Sequence, residues 1–285
     1  MANKHTFYEQ DVLDHLHKTE MIILKDVDAL CKKYGLTYFA FWGTGIGALR
    51  HGGFIPWDDD IDICLPRKDY HKLLKLVEKE YPGKYHPLNP VTSPNYPLAT
   101  TRLCLNGTVF REHAMKNVDC DWGIFIDLYA LDNVADCELK AKKQMWTAWF
   151  WGKLLILRNL PRPYLYIDGI IAKLVTGACI LTYHGMKVLG ISKRWLYKKR
   201  ELNNRKYNKK TTKRIGFFCD PRPDNNIFAL EDVYPLRMEK FEDMTIPFPK
   251  ELEKLLTIYY GDFMQLPPEE KRKTHYPDEL DFGKY

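Results

Sequence analysis

The segment GTGIGALRHGGFIPWDDDID, residues 43–62, joins a small-residue turn, a basic pair and a run of carboxylates within one short connection. An extended chain sends alternate side chains to one side. Asp60 and Asp62 therefore project together across Ile61, and Asp58 shares their parity as a supporting ligand. Carboxylates held this close repel unless something neutralises them, and the usual neutraliser of an all-oxygen cluster is a hard cation such as Mg²⁺ or Mn²⁺. That cation would clamp phosphate oxygens, so the expected chemistry is metal-dependent phosphoryl transfer. The plain alternative is a solvated acidic turn. Against it, the carboxylates run straight into Ile-Asp-Ile-Cys-Leu, a buried-strand pattern where charges are seldom placed for stability.

The upstream half supplies the complementary parts. LTYFAFW, residues 36–42, is a β-branched and aromatic run, after which Gly43, Thr44 and Gly45 allow a tight turn into a short helix over 46–51. Backbone N–H groups at a helix start attract phosphate, and Arg50 and His51 add charge-assisted contacts to a diphosphate. A third carboxylate is offered by GIFIDLYALD, residues 123–132, where Phe125, Asp127 and Tyr129 share one strand face. Asp127 either joins Asp60 and Asp62 as metal ligand or base, or forms an ion pair with an arginine such as Arg102 or Arg111. Asp132 reads as a turn or cap residue.

These elements need a scaffold. An amphipathic helix is predicted over 9–34 with Gly35 as its stop, and another over 68–81 after Pro66. Strands are predicted over 98–105 and 123–131, with Asn106-Gly107 as a hairpin turn into 108–111. A strand or hairpin over 238–248 and a helix over 250–260 follow. The fold class is α+β: a mixed β-sheet core flanked by helices, with a mainly helical insertion. Three regions are expected, a catalytic core at 1–137, an apolar and basic helical insertion at 138–215, and a C-terminal segment at 216–285 that packs back on the core.

The string WGTGIGALRHGGFIPWDDDIDICLPRKDY resembles the signature of LicD proteins, bacterial relatives of fukutin and fukutin-related protein in the nucleotidyltransferase superfamily. The superfamily pattern of a hydrophobic residue, Gly and Gly or Ser, then Asp-x-Asp, falls on Trp42-Gly43-Thr44 and Asp60-Ile61-Asp62. Thr44 departs from that pattern but keeps a hydroxyl to meet a phosphate. The resemblance continues in GIFIDLYALD and in YYGDFMQLPPEEKRKTH, residues 259–275. It implies a nucleotidyltransferase-like core and a transferase that moves phosphocholine from CDP-choline onto a cell-surface glycan, a teichoic acid precursor or a lipid-linked glycan. Glycerol-phosphate or ribitol-phosphate transfer, and nucleotidyl transfer to a small molecule, remain open. A choline headgroup would need an aromatic cage, for which Trp42, Trp57, Trp122 and Tyr129 are candidates. His275 ends the motif as either a phosphate contact or a structural residue.

Composition bounds the rest. Seven scattered cysteines with no CxxC pair argue against a disulfide framework and a zinc site, and for a reducing compartment. The N-terminus has no apolar signal core, so a cytoplasmic location, peripheral on the inner face of a bacterial membrane, is expected. A net charge of +6 permits attraction to anionic partners, but the basic run at 193–214 reads equally as a solvated helix face, and nucleic acid is not expected. Two aromatic and apolar stretches within 144–191 are broken by Lys153 and Arg158, and by Asp168, Lys173, His184 and Lys187. Neither is predicted to span a bilayer; they form a helical subdomain core or dock on anionic lipid through Trp146, Trp149 and Trp151.

Overall fold

The computed structural model describes residues 8–160, 169–218, 223–272 and 274–285; Asp168 and Cys219 lie outside them. The chain opens with α1 (Gln10–Tyr34), whose buried positions Leu13, Leu16, Ile23, Leu24, Val27 and Leu30 recur at helical spacing. It stops at Gly35, which takes the left-handed conformation at φ 60° and returns its N–H to the Cys31 carbonyl. Then come β1 (Phe39–Ala40), α2 (Trp42–His51), β2 (Asp62–Pro66) and α3 (Arg67–Glu80). The strands β3 (Tyr85–Leu88), β4 (Thr101–Leu105), β5 (Val109–Glu112) and β6 (Phe125–Val134) precede three helices, α4 (Glu138–Asn159), α5 (Gly169–Val188) and α6 (Lys193–Asn204). The remainder is β7 (Arg214–Gly216), β8 (Ile227–Ala229), α7 (Leu230–Val233), the hairpin β9 (Arg237–Phe241) and β10 (Met244–Phe248), α8 (Leu252–Tyr260) and β11 (Pro277–Asp281).

The main sheet runs β1-β2-β6-β4-β3, and the far end of β6 carries β7 and then β8. Only the β2–β6 pairing is parallel among the described strands; the others are antiparallel, so the sheet is mixed and the fold is α+β. Ten-residue β6 is the axis of the core, buried at eight of its positions because both of its faces are covered. α1 and α3 pack on each other and on β6. Partly buried Arg67 joins α3 to β6 and α6, bonding both oxygens of Asp132 and pairing with Glu201 at 3.0 Å.

Three local expectations change. Asn106-Gly107 does turn the chain, with Gly107 at φ 80°, but β5 leaves β4 and pairs with β11, so no hairpin forms there. The expected strand over 98–105 starts only at Thr101. The aspartates 58–60 lie before β2, which begins at Asp62.

Candidate active site

Register builds the site. Asp62 on β2 aligns with Asp127 on β6, which aligns in turn with Arg102 on β4. Neighbours in register point to the same side of a sheet, so two carboxylates and a guanidinium form one row. The Asp127 amide donates to the Ile61 carbonyl at 2.8 Å, extending the parallel pairing past the strand end and holding Asp60 beside the row. Asp60, Asp62 and Asp127 each offer an oxygen within 4.8 Å of the others. Asp62 and Asp127 are 8% and 6% exposed, and one oxygen of each, Oδ1, is buried without a hydrogen-bond partner.

Such orphaned acceptors are costly in a folded interior unless something else meets them. Two ligands of one Mg²⁺ lie at most about 4.2 Å apart, given Mg–O of about 2.1 Å, so sub-ångström side-chain adjustment would close this trio on a hard cation. Burial and the neighbouring like charges push Asp62 well above the ordinary carboxylate range and raise Asp127; burial takes Asp60 up to about 6 against the pull of His275. Arg102 stands 3.8 Å from Asp127 and pairs with Glu112. The two alternatives for Asp127, cluster member or arginine partner, are therefore realised together.

Sequence reasoning passed over Asp59. It is completely buried and accepts hydrogen bonds from the Tyr8 hydroxyl at 2.7 Å and from the backbone amide of His275. The His275 ring approaches within 3.1 Å of Asp59 and 3.5 Å of Asp60. Desolvation works against its charge, but Asp60 and Asp59 prevail and hold the imidazole well above its ordinary value. Residues near both ends of the chain are thus pinned beside the cluster. Glu20 of α1 was also missed. Its carboxyl is buried with both oxygens unpartnered, and burial together with Asp60, Asp59 and Asp58 raises it well above its ordinary value.

The glycine turn proves to be the first turn of α2, which starts at Trp42 and not at Ile46. Trp42 sits there at φ 45°, a strained conformation for a bulky residue and of a kind found mostly at functional sites. At Gly43 a Cβ would come 2.7 Å from Asp58 Oδ2, so the missing side chain makes room for that carboxylate. Thr44 is buried, and its hydroxyl accepts from the Asp62 amide at 2.8 Å; it braces the start of β2. Gly45 lies against Leu252 and Leu256 of α8. Of the basic pair, Arg50 donates to the Phe263 carbonyl and to His51, while His51 is exposed. Arg50 and Arg272 both lie over the Trp57 ring, at 5.7 and 4.3 Å, which adds a cation from the C-terminal segment that the motif alone did not show.

Aromatic residues complete the surroundings. Trp42 and Tyr129 are 4.4 Å apart, Tyr259 lies 6.5 Å from Trp42, and the Tyr129 side chain hydrogen-bonds Asp62. Tyr260 adjoins Tyr259 and feels Asp62, Asp58 and Asp60. Of the four rings expected to form a cage, Trp42 and Tyr129 come together, Trp57 goes to the arginine pair, and Trp122 is buried against Tyr96.

Residues 35–150 match a family model described as LicD/FKTN/FKRP, nucleotidyltransferase domain. Over 306 residues the chain is 24% identical to the lipopolysaccharide cholinephosphotransferase LicD of Haemophilus influenzae, covering 93% of this chain and 97% of that protein. Shorter stretches of 55 and 47 residues are 43% identical to uncharacterized proteins of Rickettsia prowazekii and Rickettsia typhi, covering 21% and 15% of them. The matched region holds Gly43, Asp60, Asp62, Arg102 and Asp127, so the residues that build the carboxylate row and its approach all lie in the segment that is similar to the LicD/FKTN/FKRP nucleotidyltransferase domain.

Proposed function

We propose that this chain is a metal-dependent transferase that moves phosphocholine from CDP-choline onto a cell-envelope glycan, a lipopolysaccharide or a teichoic acid precursor. The observation that carries this reading is the row of Asp60, Asp62 and Asp127 with its orphaned oxygens, a donor set suited to a hard cation. The relative from Haemophilus influenzae, named as a lipopolysaccharide cholinephosphotransferase, supports the choice of group. Bound by those three carboxylates, Mg²⁺ or Mn²⁺ would screen the charge of the donor diphosphate.

The remaining roles belong to side chains. Arg50 and Arg272 meet the diphosphate from the Trp57 side. The acceptor hydroxyl attacks the phosphorus that bears the alcohol, the bond to the CMP phosphate oxygen breaks, and CMP leaves. Asp127, held in place by Arg102, orients that hydroxyl and takes up its proton. Tyr129, which hydrogen-bonds Asp62, clusters with Trp42 and Tyr259, and the π faces of these rings suit a trimethylammonium, which favours choline over glycerol or ribitol as the alcohol.

Two labelled donors test this. With CDP-choline labelled in the methyl groups, label enters the envelope glycan; with label in the cytidine, it appears in free CMP. Asp62→Asn lowers kcat/KM by about a thousandfold, in line with loss of one preorganised electrostatic contact. Cytidine label in the glycan would mean nucleotidyl transfer, and transfer from CDP-glycerol or CDP-ribitol with none from CDP-choline would assign a different alcohol.

A further inference from the structure

Among the described residues, helix α5 is built unlike the other helices. It is 20 residues long and apolar enough by length and composition to cross a membrane, yet within its apolar window only 6% is buried. Met186, near its C-terminal end, is its one buried residue among those described, in a small cluster with Leu155 of α4 and Leu196 of α6. Three stripes run along it. Partly covered residues such as Val175, Cys179 and Tyr183 lie on one side. On the outer side Leu174, Ala178, Leu181, Gly185 and Val188 recur at i, i+4, i+7, i+11 and i+14, and Leu174, Leu181 and Val188 are 70%, 75% and 87% exposed. Between the two lie Lys173, His184 and Lys187, all exposed.

That distribution decides between crossing a bilayer and lying on it. A spanning helix needs about 20 predominantly apolar residues to cross about 30 Å of hydrocarbon. Here the stretch between Lys173 and His184 holds ten residues, about 15 Å at 1.5 Å each. Charges gathered in one lengthwise stripe beside an apolar one instead suit a helix lying in the interface, apolar side down, with cations at headgroup level. The neighbouring helices carry the same combination. Trp146 and Phe150 of α4 are half exposed, and α6 places exposed Arg194, Lys198 and Lys199 around exposed Trp195.

We infer that α5 is an in-plane membrane anchor, its Leu174–Leu181–Val188 stripe seated in the acyl boundary of an anionic phospholipid surface and its lysines, with those of α6, on the headgroups. The inference stands apart from the transferase reading, since none of α4, α5 and α6 contributes a carboxylate to the cluster.

Sedimentation of the full-length chain with vesicles tests it, without nucleotide or metal. Vesicles with about 30 mol% phosphatidylglycerol should pellet the protein at least about tenfold more strongly than phosphatidylcholine alone, and high salt should weaken binding. Leu174→Gln/Leu181→Gln, two exposed substitutions, should reduce binding about tenfold or more with an unchanged circular dichroism spectrum and melting temperature, and Lys173→Glu/Lys187→Glu should abolish the preference for anionic lipid. Absence of vesicle binding, or equal binding by the leucine variants, overturns the inference. So does a dimer in analytical ultracentrifugation that the leucine substitutions dissociate, because a second copy would then cover the stripe.

Discussion

Substituting Asp62→Asn should damage activity and raise the stability of the metal-free protein, two effects of opposite sign from one atom change. At 4.8 Å, the outer separation of the trio, two unit charges repel by about 3.5 kcal/mol at an effective dielectric of about 20. Asp62 faces two such neighbours, for a gross figure of about 7 kcal/mol. Arg102 beside Asp127 and His275 beside Asp60 cancel much of this, and the raised pKa of Asp62 means that part of its charge is already neutralised by proton uptake. A net relief of about 1–3 kcal/mol remains. For a chain of this length that corresponds to a gain of about 2–5 °C in melting temperature.

The assay is thermal unfolding in chelator and then in a magnesium series. The unmodified chain should gain about 2.7 kcal/mol once the cation is a hundredfold above its dissociation constant, whereas Asp62→Asn should gain little. The two melting curves should therefore cross as magnesium rises. If the variant melts lower than the unmodified chain in chelator, or if magnesium and manganese leave the unmodified chain unmoved, the carboxylates are not a cation site and the reasoning fails.

Two further outcomes follow from local geometry. Gly47→Ala would put a Cβ 2.3 Å from the Gly53 carbonyl oxygen and 3.1 Å from the Ile55 amide, backbone that cannot yield, so urea unfolding should show a loss of about 2–3 kcal/mol; Gly45→Ala meets only the end of Leu252 at 3.2 Å and should cost less than about 1 kcal/mol. His86 presents Nδ1 to Asn106 Oδ1 and Nε2 to the Asp121 carbonyl, and Asn106 is fixed in that orientation by its own amide bond to Gly83, so the imidazole is held doubly protonated. Desolvation opposes this, but Cys104 and Asn106 outweigh it and take the pKa up to about 10. A folded pKa above the unfolded one gives stabilisation that is complete below about pH 6.5 and withdrawn as pH climbs toward 10; His86→Gln should flatten that slope in melting experiments, and an unchanged slope would reject the assignment.

The parts of the site that were legible in the sequence are those governed by short-range periodicity. Alternation in Asp60-Ile61-Asp62 and in Phe125-Ile126-Asp127 tells which carboxylates share a face, and Gly35 marks the end of α1 because only a left-handed residue closes it without strain. What alternation cannot supply is register. That Asp62 lies opposite Asp127, and Asp127 opposite Arg102, depends on how three strands slide past one another, which the whole core decides. The failed hairpin has the same origin: Asn106-Gly107 makes its turn, but β5 finds a better partner in β11, more than 160 residues on. At Thr44 the structure adds a structural role. A hydroxyl near a phosphate motif suggests a ligand contact, and here its oxygen also accepts from the amide at the start of β2, a bond that no sequence pattern announces.

The region that matches the family model ends at residue 150, but the site does not. Asp59 shows why. A carboxylate buried without compensation would be expelled or protonated, and Asp59 remains because Tyr8 and the backbone and ring of His275 all bond to it, holding its pKa below the ordinary value in spite of burial. The same bonds bring the chain beyond α8 back across Asp60, and with it Arg272 onto Trp57. The acidic run is thus a joint between two functions: Asp60 and Asp62 join Asp127 in one cluster, while Asp59, meeting the same His275 imidazole as Asp60, fastens the C-terminal segment beside the site. A sequence that kept Asp60 and Asp62 but lost Asp59 would retain the carboxylate row without the bonds from Tyr8 and His275 that hold the C-terminal segment beside it.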